Sequence, residues 1–386
     1  MRTSVFLYPW DVVGDPAAPA RIADLGVQQV TLASAYHSTR ALTPRHPRHR
    51  VVTADHSAVL YAPDPARWAG RALRPYPAGE WAPGEAFAEA ADALRGAGLD
   101  VHSWAVLAHN SRLGTEHPGT SVRNAYGDRY PWAPCIARPE VRAYLTALAA
   151  EAAVRPGASG TELESCGWYG AAHLHAHDKT GGVPLDDAAQ YLMSLCFCDP
   201  CADGYGQHGL EAAELAAGVR HALEPLWAGH PTRSLAEPLA AAALAWRTGT
   251  ARTLQEAVVR AVRSAAPDAF RVLLHADPAP HRSGANPGVD PAHLMSVADG
   301  AVVPCTGGLA DTVLPPFAPH RRPHSALAAN FTVVSGMGGN PATLAADARH
   351  ATGLGATELR LYHAGLASGP DLAAVRDALH ALDRGL

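Results

Sequence analysis

The sequence predicts an α/β protein with the (β/α)8 fold, a TIM barrel, and three observations favour this class. Short apolar runs rich in β-branched residues recur eight times along the 386 residues, as expected for buried parallel strands. Alanine-rich segments with helical spacing lie between most of these runs. No Gly-x-Gly-x-x-Gly motif follows the first run, where an open dinucleotide-binding sheet would carry it, so no nucleotide cofactor is expected.

The elements follow one another in a regular order. The predicted strands occupy residues 4–10, 28–35, 101–108, 160–165, 270–275, 300–304, 330–336 and 358–362. The predicted helices span residues 18–25, 83–97, 139–153, 187–195, 210–228, 254–265, 290–298 and 341–352. Each helical segment carries alanine or leucine at positions i, i+3 and i+4, the stripe that covers a sheet. The wide gap between strands four and five predicts an additional helical insertion, residues 204–266, within a single barrel domain spanning residues 1–386.

Composition excludes several classes of partner. Hydrophobic residues make up 48% of the chain, enough for a large buried interior. The net charge of -5 leaves no basic face for a phosphate backbone, so nucleic acid is not expected as a partner. The amino-terminal apolar run is too short for a signal peptide, and no stretch of about 18 apolar residues exists for a membrane span. The sequence therefore predicts a cytoplasmic protein without a membrane partner, and it is compatible with a homo-oligomer.

Alternation along two predicted strands places acidic side chains inside the barrel. Glu162 and Glu164 share one face of strand four, whereas Leu163 lies on the face that should meet the helices. By the same parity, His275 and Asp277 point inward at the end of strand five. Barrel enzymes build their active sites where strands end, so these side chains are candidates for catalysis.

Aromatic and polar side chains at other strand ends are candidates for binding a sugar. Aromatic rings stack on sugar faces, and imidazole, amide or amine groups bind hydroxyls. The candidate binding residues are Trp10, His37, Asn110, Trp168, His173, Lys179, His275 and Tyr362. Lys179 is the only lysine among 31 basic residues, which suggests a use that arginine cannot serve, although a solvated loop position explains one lysine equally well.

A histidine-rich segment after strand four predicts an alternative chemistry. His173, His175 and His177 alternate, so in an extended loop they would lie on one side and could bind a metal with nearby carboxylates. Such a site would indicate a metal-dependent barrel hydrolase or a sugar isomerase or epimerase, although in barrel hydrolases a His-x-His pair ends strand one and here it follows strand four. Hydrogen-bonded loop histidines without a metal are the other interpretation.

Four cysteines predict a structural metal site. Cys196, Cys198 and Cys201 fall within six residues, and Cys135 lies upstream. Three thiols this close cannot all form unstrained disulfides with one another, and a cytoplasmic chain rarely keeps them oxidised. Four thiolates around zinc form a closed tetrahedral site with no open position for a substrate. Buried, reduced thiols without a metal are the alternative.

The cysteine spacing after strand four, within a barrel, resembles the zinc cluster of family 42 β-galactosidases, which are (β/α)8 enzymes of a retaining glycosidase clan. The resemblance implies that Glu164, at the end of strand four, is the acid/base. It also implies a nucleophilic glutamate at the end of strand seven, where residues 330–336 contain no acid, and an asparagine before the strand-four glutamate, where Leu163 stands. The chain is also similar to uncharacterised glycosidase-like barrels with a glutamate, a histidine-rich loop and the same cysteine spacing.

Taken together, these features predict a glycoside hydrolase that acts on a small carbohydrate or glycoside. Cleavage needs one carboxylic acid for the leaving oxygen and a second carboxylate that attacks or activates water. Glu164 is the candidate acid/base, Asp277 the second carboxylate, and Glu162 the reserve. Glu162 could instead join Glu358 and Arg360 in a structural ion network at the barrel floor. Because strand seven lacks an acid, a non-catalytic carbohydrate-binding barrel is a third hypothesis.

Overall fold

The eight apolar runs form one closed barrel in the computed structural model, which describes residues 1–171 and 178–384. The barrel strands are β1 Arg2–Leu7, β2 Gln29–Tyr36, β3 Asp100–Val106, β4 Gly160–Glu164, β5 Arg271–His275, β6 Gly300–Pro304, β7 Ala326–Thr332 and β8 Glu358–Tyr362. Each strand pairs in parallel with the next along the chain, and β8 pairs in parallel with β1. The predicted fold class is therefore confirmed.

The seventh strand lies earlier in the chain than its predicted position. It begins at Ala326, whereas residues 335–337 form a short turn of 3-10 helix beyond the strand. Alanine has a low strand propensity, so the run from Ala326 to Ala329 carries little local signal. Tertiary packing decides here: Ala326 and Ala328 join Leu273 and Val302 in a small apolar cluster that small side chains can fill.

The alternation predicted for strands four and five holds in the structure. Leu163 packs in the large apolar cluster between strands and helices, together with Val272 and Leu274. Glu162 contacts side chains from four other barrel strands and therefore lies in the interior. One carboxylate of the strand reaches the barrel floor and the other, Glu164, reaches the mouth.

Helices surround the barrel. They are α1 Ala18–Ala23, α2 Ala86–Gly96, α3 Pro139–Ala153, α4 Asp187–Met193, α5 Asp199–Gln207, α6 Ala212–Trp227, α7 Glu237–Ala265, α8 Pro291–Val297, α9 Leu344–Gly353 and α10 Gly369–Asp383, with short helices at Pro65–Trp68, Ser111–Glu116 and Ala310–Val313. Asp186, Asp290 and Ser368 accept backbone N–H groups at the starts of α4, α8 and α10, which explains where these helices begin. No described helix is both long and apolar enough to cross a membrane.

The segment between β4 and β5 includes four of these helices. The predicted insertion, residues 204–266, covers the end of α5, all of α6 and all of α7. The long helix α7 packs against α3, as a helix of the barrel's outer ring does. Its buried Arg247 donates hydrogen bonds to the Ser194 carbonyl at 3.0 Å and to Ser283 Oγ at 2.8 Å, so it ties α7 to the loops around the barrel mouth.

Two hairpins extend the strand ends. The strands Thr39–Leu42 and Val51–Ala54 pair after β2, and Ser121–Arg123 and Arg129–Pro134 pair after β3. A short strand, Ala58–Val59, pairs antiparallel with the end of β2. The first hairpin contributes to the rim of the cavity described below.

Buried Glu151 on α3 anchors the segment that follows this short strand. Its carboxylate accepts hydrogen bonds from the Asp64 backbone N–H at 2.6 Å, Trp68 Nε1 at 2.8 Å and Tyr61 Oη at 3.3 Å. In Glu151→Gln a side-chain NH2 group, which cannot accept a hydrogen bond, replaces one of the carboxylate oxygens that face the three donors. We therefore expect a loss of about 3 kcal/mol in the free energy of unfolding. Urea denaturation measures this loss. Glu140→Gln, on the same helix but half exposed, should change stability little; equal losses in both variants would contradict the anchoring role.

Candidate functional site

A cavity of about 650 Å³ opens at the carboxyl ends of the barrel strands. Its polar lining includes Glu164, His275, Asn286 and Asn330. Hairpin residues Arg40 and Leu42 and, from the loop after β7, Gly336 and Met337 also line it. This volume is typical of pockets that enclose a small organic ligand, and its place in the fold is that of barrel active sites.

Glu164 is the only carboxylate among the described residues that line the cavity. Its side chain is held from β3 by Trp104, whose Nε1 donates a hydrogen bond to Oε2 at 2.9 Å. Burial raises the pKa of Glu164, although nearby His275 and the Trp104 hydrogen bond act in the opposite direction. A carboxyl group that keeps its proton closer to neutral pH is suited to act as a general acid.

Glu162 lies below Glu164 and does not line the cavity. Its Oε1 accepts hydrogen bonds from Arg360 Nε and, at 3.1 Å, from Thr31 Oγ1. Burial alone would raise the pKa of Glu162, but Arg360 and His275 bring it down to about 2, so this carboxylate is ionised. Arg360 also pairs with Glu358 at 2.9 Å. These contacts form the ion network that the sequence offered as an alternative role for Glu162.

His275 lies between the two glutamates. It lines the cavity, and its Nε2 is 3.5 Å from Glu162 Oε2 on the barrel floor. The Phe6 ring packs edge-on against the imidazole, with ring centroids 5.8 Å apart. The imidazole therefore has a buried carboxylate within ion-pair distance, and the residue also contributes to the cavity wall.

An aromatic wall flanks these polar groups. Tyr8, Tyr36 and Tyr362 line the cavity, and the hydroxyl oxygens of Tyr36 and Tyr362 are 3.5 Å apart. Burial raises the pKa of all three hydroxyls above the usual value, so they remain donors at neutral pH. His37 stacks on Tyr36 with ring centroids 4.1 Å apart and also lines the cavity. Tyr362 and His37 were candidates from the sequence, whereas Tyr8 lies just beyond β1, where only continued strand parity signals it.

Two asparagines present unused acceptors in the cavity wall. Asn286 Oδ1 and Asn330 Oδ1 are buried and accept no hydrogen bond within the part of the chain that the structure describes. Both residues line the cavity. Because a buried acceptor without a partner is costly, these oxygens are positioned to accept hydroxyl groups of a ligand. Asn286 comes from a loop that carries no periodic signal, so sequence reasoning missed it.

Three predicted binding residues lie away from the cavity lining. Trp10 is buried and stacks on Tyr8 with ring centroids 4.5 Å apart. Trp168 donates its indole N–H to the Arg247 carbonyl at 2.9 Å, beneath that residue's guanidinium. Asn110 caps the helix Ser111–Glu116 by accepting the Leu113 N–H at 2.9 Å. Each of these side chains is engaged in packing or capping away from the cavity lining, and a role for them in binding a sugar stays a prediction.

The two remaining candidates belong to the segment after β4. Lys179 is exposed and does not line the cavity. His173 lies outside the described residues, as do His175 and His177. Among residues 1–171 and 178–384, the only group of three or more close metal-ligating side chains is the cysteine cluster, so the predicted histidine metal site has no described counterpart.

Asp277, predicted as the second carboxylate, is engaged in a turn beyond β5. Its Oδ1 accepts the Ala279 backbone N–H at 2.8 Å, and its Oδ2 is 3.4 Å from Arg282 Nε. The residue does not line the cavity. Strand parity placed it inward, but the strand ends at His275, and the turn redirects the carboxylate. Asp277 is therefore not carried into the functional proposal.

Four cysteines come together as predicted. The Sγ atoms of Cys135, Cys196, Cys198 and Cys201 all lie within 4.8 Å of one another, and all four residues are buried. Cys135 Sγ is 3.6 Å from the sulfurs of both Cys198 and Cys201. Tetrahedral coordination at a zinc–sulfur distance of about 2.3 Å requires sulfurs roughly 3.8 Å apart, so the donor set fits such an ion. The cluster could thus hold a metal, joining the hairpin strand Arg129–Pro134 to the start of α5.

Comparisons with known proteins agree on the fold. No family model and no curated protein matches the chain. Among solved structures, a catalytic mutant of Gan42B, a GH42 β-galactosidase from G. stearothermophilus, aligns with a TM-score of 0.59 and 12% identity over 100% of this chain and 56% of that chain. An α-L-fucosidase isoenzyme 2 from Paenibacillus thiaminolyticus aligns with a TM-score of 0.57 and 11% identity, covering 100% of this chain and 50% of that chain.

A third structure matches over nearly its whole length. The PgaB (BpsB) glycoside hydrolase domain from Bordetella bronchiseptica aligns with a TM-score of 0.56 and 13% identity over 98% of both chains. This chain spans about half the length of the fucosidase and β-galactosidase chains. At such identities the likeness shows the fold alone, a closed glycoside-hydrolase-like barrel, and it confirms the resemblance in fold to the family 42 β-galactosidases.

Proposed function

We propose that the protein is a glycoside hydrolase that cleaves a small carbohydrate or glycoside at the carboxyl end of its barrel, with Glu164 as the general acid. The observation that carries the proposal is the state of Glu164: it ends β4, lines the cavity, and has a pKa raised by burial. A glycosidic oxygen needs a proton as it leaves, and a carboxyl group with this environment can supply one.

The cavity wall suits a sugar. Tyr36 and Tyr362 offer aromatic rings, on which the apolar face of a pyranose packs. Asn286 and Asn330 offer buried oxygens that accept no hydrogen bond from residues 1–171 and 178–384 and could accept one from a ligand hydroxyl. Aromatic faces together with such acceptors are a combination that matches a ligand with several hydroxyl groups.

A second candidate function is a carbohydrate-binding barrel without turnover. It is favoured by one observation, that Glu164 is the sole carboxylate in the described lining of the cavity. A panel of 4-nitrophenyl glycosides separates the two functions when nitrophenol release is followed by absorbance and sugar binding by calorimetry. A hydrolase releases nitrophenol from at least one glycoside, whereas a binding barrel shows saturable binding and no release.

We also propose zinc as the ion of the cysteine cluster. Four thiolates and a buried, closed geometry leave no position for substrate, so the zinc would stabilise the fold and take no part in the reaction. A metal-dependent hydrolase or isomerase would need ligands from the histidines outside the described residues, and we place this hypothesis behind the glycosidase.

A further inference from the structure

The cavity has one carboxylic acid but lacks, in its described lining, the second carboxylate that glycosidases usually employ. We propose that His275, oriented by Glu162, is the general base of this site and activates water for a single displacement with inversion at the anomeric carbon. This inference rests on the proposed function and names the partner of Glu164 in the same reaction.

The strand register places His275 beside the acid. Leu274 of β5 pairs with Leu163 of β4, so the next positions, His275 and Glu164, are neighbours at the barrel mouth. Both side chains line the cavity. Trp104 holds the Glu164 carboxyl group from β3, on the side away from β5. The acid and the imidazole therefore lie on adjacent strands, and both contribute to the cavity in which a sugar and a water would bind.

Glu162 determines which ring nitrogen of His275 can act as the base. Arg360 and Thr31 keep Glu162 in place, and an ionised carboxylate only accepts hydrogen bonds. The nitrogen that faces this carboxylate is Nε2, 3.5 Å from Oε2. In the proposed arrangement Nε2–H is directed at Glu162, and Nδ1 is the nitrogen left to accept a proton from water. Hydrolases with carboxylate–histidine pairs orient and stabilise their imidazole in the same manner.

Charged and titratable groups on several strands surround His275 and Glu162. Glu162 and Glu164 approach from β4, and Arg360 approaches Glu162 from β8. His102, on β3, lies on the other side of Glu162 with Nδ1 3.9 Å from Oε1. From β1 the Phe6 ring packs against the imidazole, and the register partner of His275 on β6 is Val302. The ionised Glu162 carboxylate, 3.5 Å from Nε2, would thus stabilise the imidazolium that forms when His275 accepts a proton.

The reaction conserves atoms and protons. Nδ1 of His275 removes a proton from water while the water oxygen bonds to the anomeric carbon. The bond between that carbon and the leaving oxygen breaks, and Glu164 gives its proton to that oxygen. The products are the free sugar with inverted configuration and the released alcohol. The imidazolium and the Glu164 carboxylate then exchange one proton through solvent, which restores the starting state.

Stereochemistry of the wild-type reaction tests the inference without any substitution. The proton NMR spectrum of the first product formed from a 4-nitrophenyl glycoside should show inverted anomeric configuration. Retention, accompanied by turnover that depends on Glu164, would overturn the role of His275 and leave the proposed function standing. Absence of turnover for every glycoside would instead reject the proposed function itself.

Paired histidine variants give a second test. His275→Gln should lower kcat by about 10²–10⁴-fold, the usual contribution of a positioned base. Added azide, a nucleophile that needs no base, should restore turnover and yield a glycosyl azide. His102→Gln removes the other imidazole beside Glu162. His102 does not line the cavity, so this variant should keep kcat near the wild-type value. Circular dichroism verifies folding of both variants. Equal kcat values in the two folded variants, or no azide product from His275→Gln, would rule out the base.

Discussion

Glu164→Gln is expected to lower kcat/KM by about 10²–10⁴-fold for glycosides whose leaving group needs a proton. Glutamine keeps the size of the side chain and an oxygen that can accept the Trp104 hydrogen bond, so the local fold should persist. It cannot donate the proton that a carboxylic acid supplies. Kinetics on a series of aryl glycosides measures the effect, and the loss should shrink as the phenol becomes more acidic, because such a phenolate leaves unassisted.

The pH dependence of this reaction follows from the same carboxyl group. Burial raises the pKa of Glu164 above the ordinary glutamate value, and a general acid works only while protonated. Activity should therefore fall as the pH rises through that pKa, and this alkaline limb should disappear in Glu164→Gln. Asp277→Asn, which alters the carboxylate beside Arg282, should retain most of the activity. If Asp277→Asn lost most of its activity while Glu164→Gln remained active, Asp277 and not Glu164 would be the general acid.

Cys198→Ser is expected to release the metal ion of the cysteine cluster and to destabilise the protein by more than about 4 kcal/mol. A serine hydroxyl is a poor zinc ligand, and losing one of four ligands opens the site. The cluster joins the hairpin strand Arg129–Pro134 to helix α5, so this junction should loosen without the ion. Elemental analysis of the purified protein and thermal unfolding measure the two effects.

A second cysteine provides the matched control. Cys305 is also buried, but it lies outside the cluster, at the end of β6. Cys305→Ser should retain one zinc per chain and respond to a chelator as the wild type does. Wild-type protein that carries no metal and keeps its melting temperature in the presence of chelator would show that the four thiols are simply buried and reduced.

Two of the predictions, the inward glutamates and the cysteine cluster, depended only on local sequence pattern. A period of two along Glu162, Leu163 and Glu164 is a property of the strand itself, so it places both carboxylates inside whatever barrel forms. The spacing of Cys196, Cys198 and Cys201 is equally local, and one turn of chain brings three sulfurs together. The barrel class followed from the recurrence of such patterns along the whole chain.

By itself, then, the sequence determined the barrel, its two inward glutamates and the cysteine cluster, because periodicity and close spacing act over a few residues. The tertiary structure decided between the two roles that the sequence left open for Glu162, because its partner Arg360 comes from a strand almost two hundred residues away. It also decided the positions of Trp168 and Asp277, whose side chains contact Arg247 and Arg282 outside the cavity lining. Such long-range contacts have no local periodic signature.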